Sequence, residues 1–196
     1  MKKILATILL ASSAFAAPNT LSLDTQSSVL KWTGKKVTGE HFGTVKVASG
    51  NVELADGSLK GGTFEIDMKS IFVKDIEDPK YNKKLTDHLL SEDFFAALEF
   101  PKAQFTINEA KKLGDSKPGE PNYEITGTLN VKGIENQVTF PAIVEINGKE
   151  ASAKATVTLD RTKWNVKYGS GKFFENLGDK LIYDDFTVEL DVKASA

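Results

Sequence analysis

Few side chains in this sequence have the reactivity from which an active site is built. There are two histidines, His41 in Gly39-Glu40-His41-Phe42-Gly43 and His88 in Asp87-His88-Leu89-Leu90, each with an acid nearby. Imidazole beside carboxylate can hold zinc or move protons. Neither His, however, has the His-x-x-x-His or His-x-Glu spacing of a metal site, and no metal is expected. The same side chains suit a hydrogen bond to a polar ligand group, or one tying a loop to the end of a sheet. Arg161, in Asp160-Arg161-Thr162-Lys163-Trp164, is the only arginine. Its planar fork fits phosphate or carboxylate, or an ion pair with a neighbouring acid. No Gly-x-Ser-x-Gly elbow presents a nucleophile, and no glycine-rich phosphate loop opens a helix. Glu65 and Asp67 share one side of a strand with Lys69, which reads as a solvated face.

Composition removes further classes. The 196 residues contain 25 basic and 27 acidic side chains, a formal charge of −2, so the basic excess of a nucleic-acid module is missing. With no Cys, disulfide scaffolds, thiolate chemistry, cysteine metal sites and a lipoprotein anchor are all ruled out. Lys2 and Lys3 precede an apolar run over residues 4–10 and an Ala14-Phe15-Ala16 ending. That pattern predicts a secretory signal over residues 1–16 and a mature domain over 17–196, exported to the periplasm or secreted. The run falls short of the ~20 apolar residues that span a bilayer.

The elements that must position these residues are mostly strands. Phe64, Ile66 and Met68 alternate with polar residues, as do Ala103, Phe105 and Ile107, then Tyr123, Ile125, Gly127, Leu129 and Val131. Ile182, Phe186, Val188, Leu190 and Val192 repeat the pattern near the C-terminus. Weaker strands are predicted over 21–24, 29–37, 43–47, 51–54, 137–146 and 150–160. Alternation of this kind buries one face of an antiparallel sheet and wets the other. Asn147-Gly148, Asp56-Gly57 and Lys132-Gly133 mark reversals. The reading is all-β, a barrel or sandwich of eight or more strands. Residues 75–91 lose the period of two, and a short helix starting near Pro79 is expected over one end of the sheet. Ser91-Glu92-Asp93 resembles a second helix start, a short turn is expected around Phe173 and Phe174, and 114–122 reads as a loop.

A barrel of this size can be filled by side chains or can enclose a ligand. Ala151, Ala153 and Ala155 lie in succession on one apolar face, with Gly127 and Ala103 elsewhere, and leave space. Large rings at Trp32, Phe64, Phe105, Phe140 and Phe186 could equally interdigitate with them. Periodicity alone leaves both arrangements open.

The order of motifs resembles the YceI-like family. It runs Trp32, Gly39-x-His41-x-Gly43, Gly62-x-Phe64-x-Ile66-x-Met68-x-Ser70-Ile71, His88-Leu89-x-Ser91-x-Asp93-Phe94-Phe95, Phe100-Pro101-x-Ala103-x-Phe105 and Gly127-x-Leu129-x-Val131-x-Gly133, followed by Asp160-Arg161-x-x-Trp164 and Gly178-Asp179. The resemblance implies a lipocalin-like antiparallel β-barrel of about eight strands with one or two short helices. It implies a periplasmic carrier without catalytic apparatus or cofactor, holding an isoprenoid quinone, a polyprenyl phosphate or diphosphate, or a similar long-chain amphiphile. A homodimer and transient membrane contact are also implied. Cavity-lining positions are then expected at Trp32, Phe64, Ile66, Met68, Phe94, Phe105, Ile125, Leu129, Val157, Trp164 and Phe186. His41, His88 and Arg161 are the candidates for the head group. The segment 168–174, with Gly169-Ser170-Gly171, departs from the plainer apolar turn of the family. Three other readings stand beside it: an enzyme acting on a lipid head group through His41, His88 and Asp93, a small outer-membrane barrel with its apolar face outward, and a ligand-free barrel acting through its surface.

Overall fold

The computed structural model describes residues 19–196; the expected signal at 1–16 lies outside them. Nine strands follow the alternation: β1 Asn19–Leu23, β2 Val29–Lys36, β3 Gly39–Ala55, β4 Ser58–Val73, β5 Lys102–Lys112, β6 Tyr123–Val131, β7 Ile134–Asn147, β8 Glu150–Asp160 and β9 Ile182–Ser195. All pairings are antiparallel, and β3–β4 pairing closes the sheet. Eight staves make the barrel, because β1 and β2 share one: both lie between β3 and β9. The break between them is a turn in which Asp24 accepts the backbone N–H groups of Gln26 and Ser27, and the Ser28 hydroxyl accepts the Lys193 N–H.

Two predicted strands, 43–47 and 51–54, are parts of one 17-residue strand, β3. Its register against β4 shifts between Thr44 and Lys46, and again between Val47 and Ser49. At the first shift the extra residues lie on β4 and the β3 phase is kept, with Val45 and Val47 both on the cavity wall. At the second the extra residue lies on β3 and the inward set passes to Val52 and Leu54, which makes a continuous strand read as two. β7 likewise begins at Ile134 rather than 137, directly after the Lys132-Gly133 reversal, where both residues have positive φ.

Helix α1 covers Pro79–Leu90, with Asp78 as its N-cap and Ser91 as its C-cap. Ser91 therefore ends a helix and starts none: its hydroxyl donates to the His88 carbonyl, and residues 92–99 run in turns, with Ala96 at φ 46°. Short 3-10 helices occupy Arg161–Trp164 and Gly178–Lys180. The helix and the segments 91–101 and 165–181 gather at one end of the barrel. The reversals at 56–57 and 147–149, and the loop 113–122, lie at the other.

The apolar side of every main alternation faces inward. Leu21, Val52, Tyr123, Ile125, Phe140, Val157 and Leu159 are buried in one cluster, and Met68, Ile71, Ala97 and Ala103 form a second beneath α1. This orientation is the reverse of what a lipid-embedded barrel needs. Among the described residues, no helix is long and apolar enough to cross a membrane.

Candidate functional site

The barrel interior is hollow. A cavity of about 300 Å³ runs inside it, near the lower end of ligand pockets and about twice the ~150 Å³ void that accepts benzene. Its wall is almost wholly apolar. Trp32, Phe64, Ile66, Met68, Phe94, Phe105, Ile125, Leu129, Val157 and Phe186 all lie on that wall. Several of them are only partly buried although they point inward, as side chains bordering empty space must be.

Trp164 does not line the cavity. Its ring is buried with the main core, and its indole N–H donates to the Leu129 carbonyl at 3.0 Å, pinning the Arg161–Trp164 turn to β6. The space attributed to Gly127 is also occupied: a Cβ there would strike the Phe105 ring and the Thr106 carbonyl. That ring stacks toward Phe64 (6.3 Å, 28°) and tilts against Phe140 (5.7 Å). Ala103 packs in the second cluster, off the wall. The room comes instead from Ala151 and Ala153 on β8 and from Gly34, beside which lies open space. Leu89 and Phe95 complete the wall from α1 and the following turn. They were missed because a strand alternation carries no information about which cap residues turn inward.

The three head-group candidates are otherwise engaged. His41 Nδ1 is 2.7 Å from Asp75 Oδ2, at the start of β3 and away from the cavity wall. Partial burial pushes the Asp75 carboxyl up, but the His41 ring and the Phe42 N–H hold it below its ordinary value. His88 Nε2 is 3.0 Å from Asp93 Oδ2, and its ring meets Phe94 and Tyr168 edge-on at 4.9 and 4.6 Å. It therefore stitches the segments 91–101 and 165–181 together over α1. Arg161 does reach the wall and is 5% exposed, but its N–H groups donate to the carbonyls of Tyr183, Val166 and Ile182. Asp184, 3.6 Å away, counters its charge. Burial lowers the guanidinium pKa while Asp184 and Asp160 oppose that shift. Lys172 bridges Asp160 and Asp184 at 2.7 and 3.4 Å. For Asp160 itself, desolvation raises the pKa, but hydrogen bonds from Lys172 and Thr162 prevail and bring it down to about 2.

Trp32 differs from all of these. It pairs with Gly43 on one side and Val188 on the other. A Cβ at residue 43 would strike the Phe72 carbonyl of β4 first and lie 2.7 Å from the Trp32 Cζ2, so the glycine admits both the neighbouring strand and the indole. The indole nitrogen is sealed from solvent and has no acceptor. Among the described residues, no group of three His, Asp or Glu side chains is arranged to hold a metal.

The chain matches the YceI-like domain over residues 21–194. It belongs to the YceI-like family. Curated relatives include a UPF0312 protein of Pseudomonas putida, 28% identical over 170 residues and covering 82% of each chain. Another UPF0312 protein, from Photorhabdus laumondii, is 27% identical over 145 residues, covering 66% of this chain and 71% of the relative. Among solved structures, BcnA of Burkholderia cenocepacia superposes with a TM-score of 0.69 at 23% identity, over 88% of this chain and 99% of its own. A polyisoprenoid-binding domain from Saccharophagus degradans, implicated in plant cell wall breakdown, gives 0.62 at 12% identity, over 90% and 98%. At these identities the two structures speak to the barrel fold.

Proposed function

We propose that this YceI-like protein is a carrier that encloses the tail of an isoprenoid lipid or similar long-chain amphiphile in its barrel, exports with the signal at 1–16, and works in the periplasm. The observation that carries this reading is the hollow itself, about 300 Å³ walled by apolar side chains. An empty apolar space loses the dispersion contacts of close packing, and sequences keep such a loss where a ligand restores them. Each buried CH₂-sized group contributes ~0.8 kcal/mol, so one five-carbon unit gives roughly 3–4 kcal/mol before ordering costs. Tail length adds affinity with little discrimination among chain lengths. A protein of the same fold is described as a polyisoprenoid-binding domain, which supports this ligand class. The wall that the described residues build is almost wholly apolar, which favours binding over turnover. A homodimer and transient contact with the donor membrane belong to the same proposal.

The test is native mass spectrometry of protein purified from its own cell envelope, with lipid extraction and identification. Bound long-chain lipid is expected in the wild type and is lost from Phe64→Asp, which puts a charge on the wall. A folded Phe64→Asp protein that retains the lipid overturns the assignment of the cavity. Cleavage after Ala16, read from the N-terminus of the exported protein, checks the location, and sizing by light scattering checks the dimer.

A further inference from the structure

The carrier reading leaves open what recognises the polar end of the ligand, since the side chains with obvious head-group chemistry are engaged elsewhere. Among the described residues, three buried polar side-chain atoms have no hydrogen-bond partner: Trp32 Nε1, Asp184 Oδ1 and Asp191 Oδ1. The two aspartates each lie 3.6 Å from a cation, Arg161 and Lys154 respectively. Trp32 has no such compensation. It is also the only one of the three whose side chain borders the cavity. A buried donor with no acceptor is destabilising, and phenylalanine would fill a similar apolar volume without that penalty.

We infer that the Trp32 indole N–H is the polar anchor of the cavity, donating to a neutral hydrogen-bond acceptor, a carbonyl, ester, ether or hydroxyl oxygen, carried inside the barrel by the long-chain ligand. This rests on the carrier reading and narrows its ligand. The ring packs against the cluster of Met68, Ile71, Ala97 and Ala103, in the half of the barrel beneath α1. The acceptor therefore sits beneath the cap and the tail extends toward Ala151 and Ala153. Charge is disfavoured beside Trp32: Arg161 is bound to three backbone carbonyls and countered by Asp184, and Lys193, the other cation on the lining, lies near the far end of β9 opposite Ser152. An ionised phosphate placed beside Trp32 would be desolvated without a partner. Because the nitrogen is sealed, this anchor requires the indole to turn toward the hollow it borders when the ligand enters.

The experiment strips the protein of lipid and lets 2-tetradecanone, tetradecane and tetradecyl phosphate compete for loading, read by mass spectrometry. Wild type is expected to retain the ketone about five- to tenfold over the alkane, the worth of one ordinary hydrogen bond, and the phosphate least. In Trp32→Phe the ketone falls to the level of the alkane while alkane retention stays the same, a separation that mere loss of packing would not produce. In ¹⁵N-labelled protein, ketone loading shifts the Trp32 indole resonance and leaves that of Trp164, already bonded to Leu129, in place. Equal retention of ketone and alkane by wild type, or preferred binding of the phosphate, overturns the anchor and leaves the carrier intact. Retention of none of the three overturns both.

Discussion

Arg161 was legible from its isolation in the sequence, but its task was not. A lone arginine after a strand suggests an anion; here the fork collects the carbonyls of Tyr183, Val166 and Ile182 and so fastens the segment after β8 to the start of β9. A lysine has the charge but not the planar set of donors. Arg161→Lys is expected to leave buried carbonyls unpaired and lower stability by about 3 kcal/mol, measured by urea unfolding. Neighbouring Asp160 gives a pH signature. Its folded pKa of about 2 lies below the ordinary 3.8, so its contribution is complete above pH 3.8 and disappears as pH falls through about 2. Melting temperatures across that window should fall more steeply in wild type than in Asp160→Asn, which has no such titration. The Trp32–Gly43 pairing shows why the unpartnered indole escaped sequence reasoning. The apolar face was evident from alternation, whereas the absence of an acceptor depends on every element around the ring.

At the scale of elements, α1 is held to the barrel by few contacts. None of its residues is fully buried. Asn82 reaches from it to the carbonyls of Val73 and Ile76, and Asp78 caps its first turn by accepting the Lys80 and Tyr81 N–H groups. Asp78→Ala is expected to cost about 1 kcal/mol, visible as faster hydrogen exchange over 79–90 with barrel amides unaffected. The helix was readable because Pro79 and the spacing of Tyr81, Leu85 and Leu89 break a period of two. The strands were readable wherever alternation ran unbroken, as in β6. It failed in β3 because the extra residue between Val47 and Ser49 resets the phase, and at Ser91 because serine caps either end of a helix.

For the molecule as a whole, hollowness is the property that sequence could only weigh. Alanines at 151 and 153 are compatible with a tight core or an empty one, and the outcome depends on where the rings opposite them turn. Filling the space should separate stability from binding. Ala153→Phe is expected to raise the stability of lipid-free protein by about 1 kcal/mol, as cavity filling does, and to cut lipid retention severalfold. Calorimetry and lipid extraction on the same sample check both. The closed ring also exposes no strand edge along its length to recruit another chain.

The split stave has a practical consequence. Ser22 pairs with Ser195, and Asn19 lies against Leu54, so residue 19 and the C-terminus emerge side by side, diametrically away from α1. A tether, affinity tag or fluorescent fusion attached at residue 196 would hold the molecule by its foot, with the helical face turned toward whatever it meets.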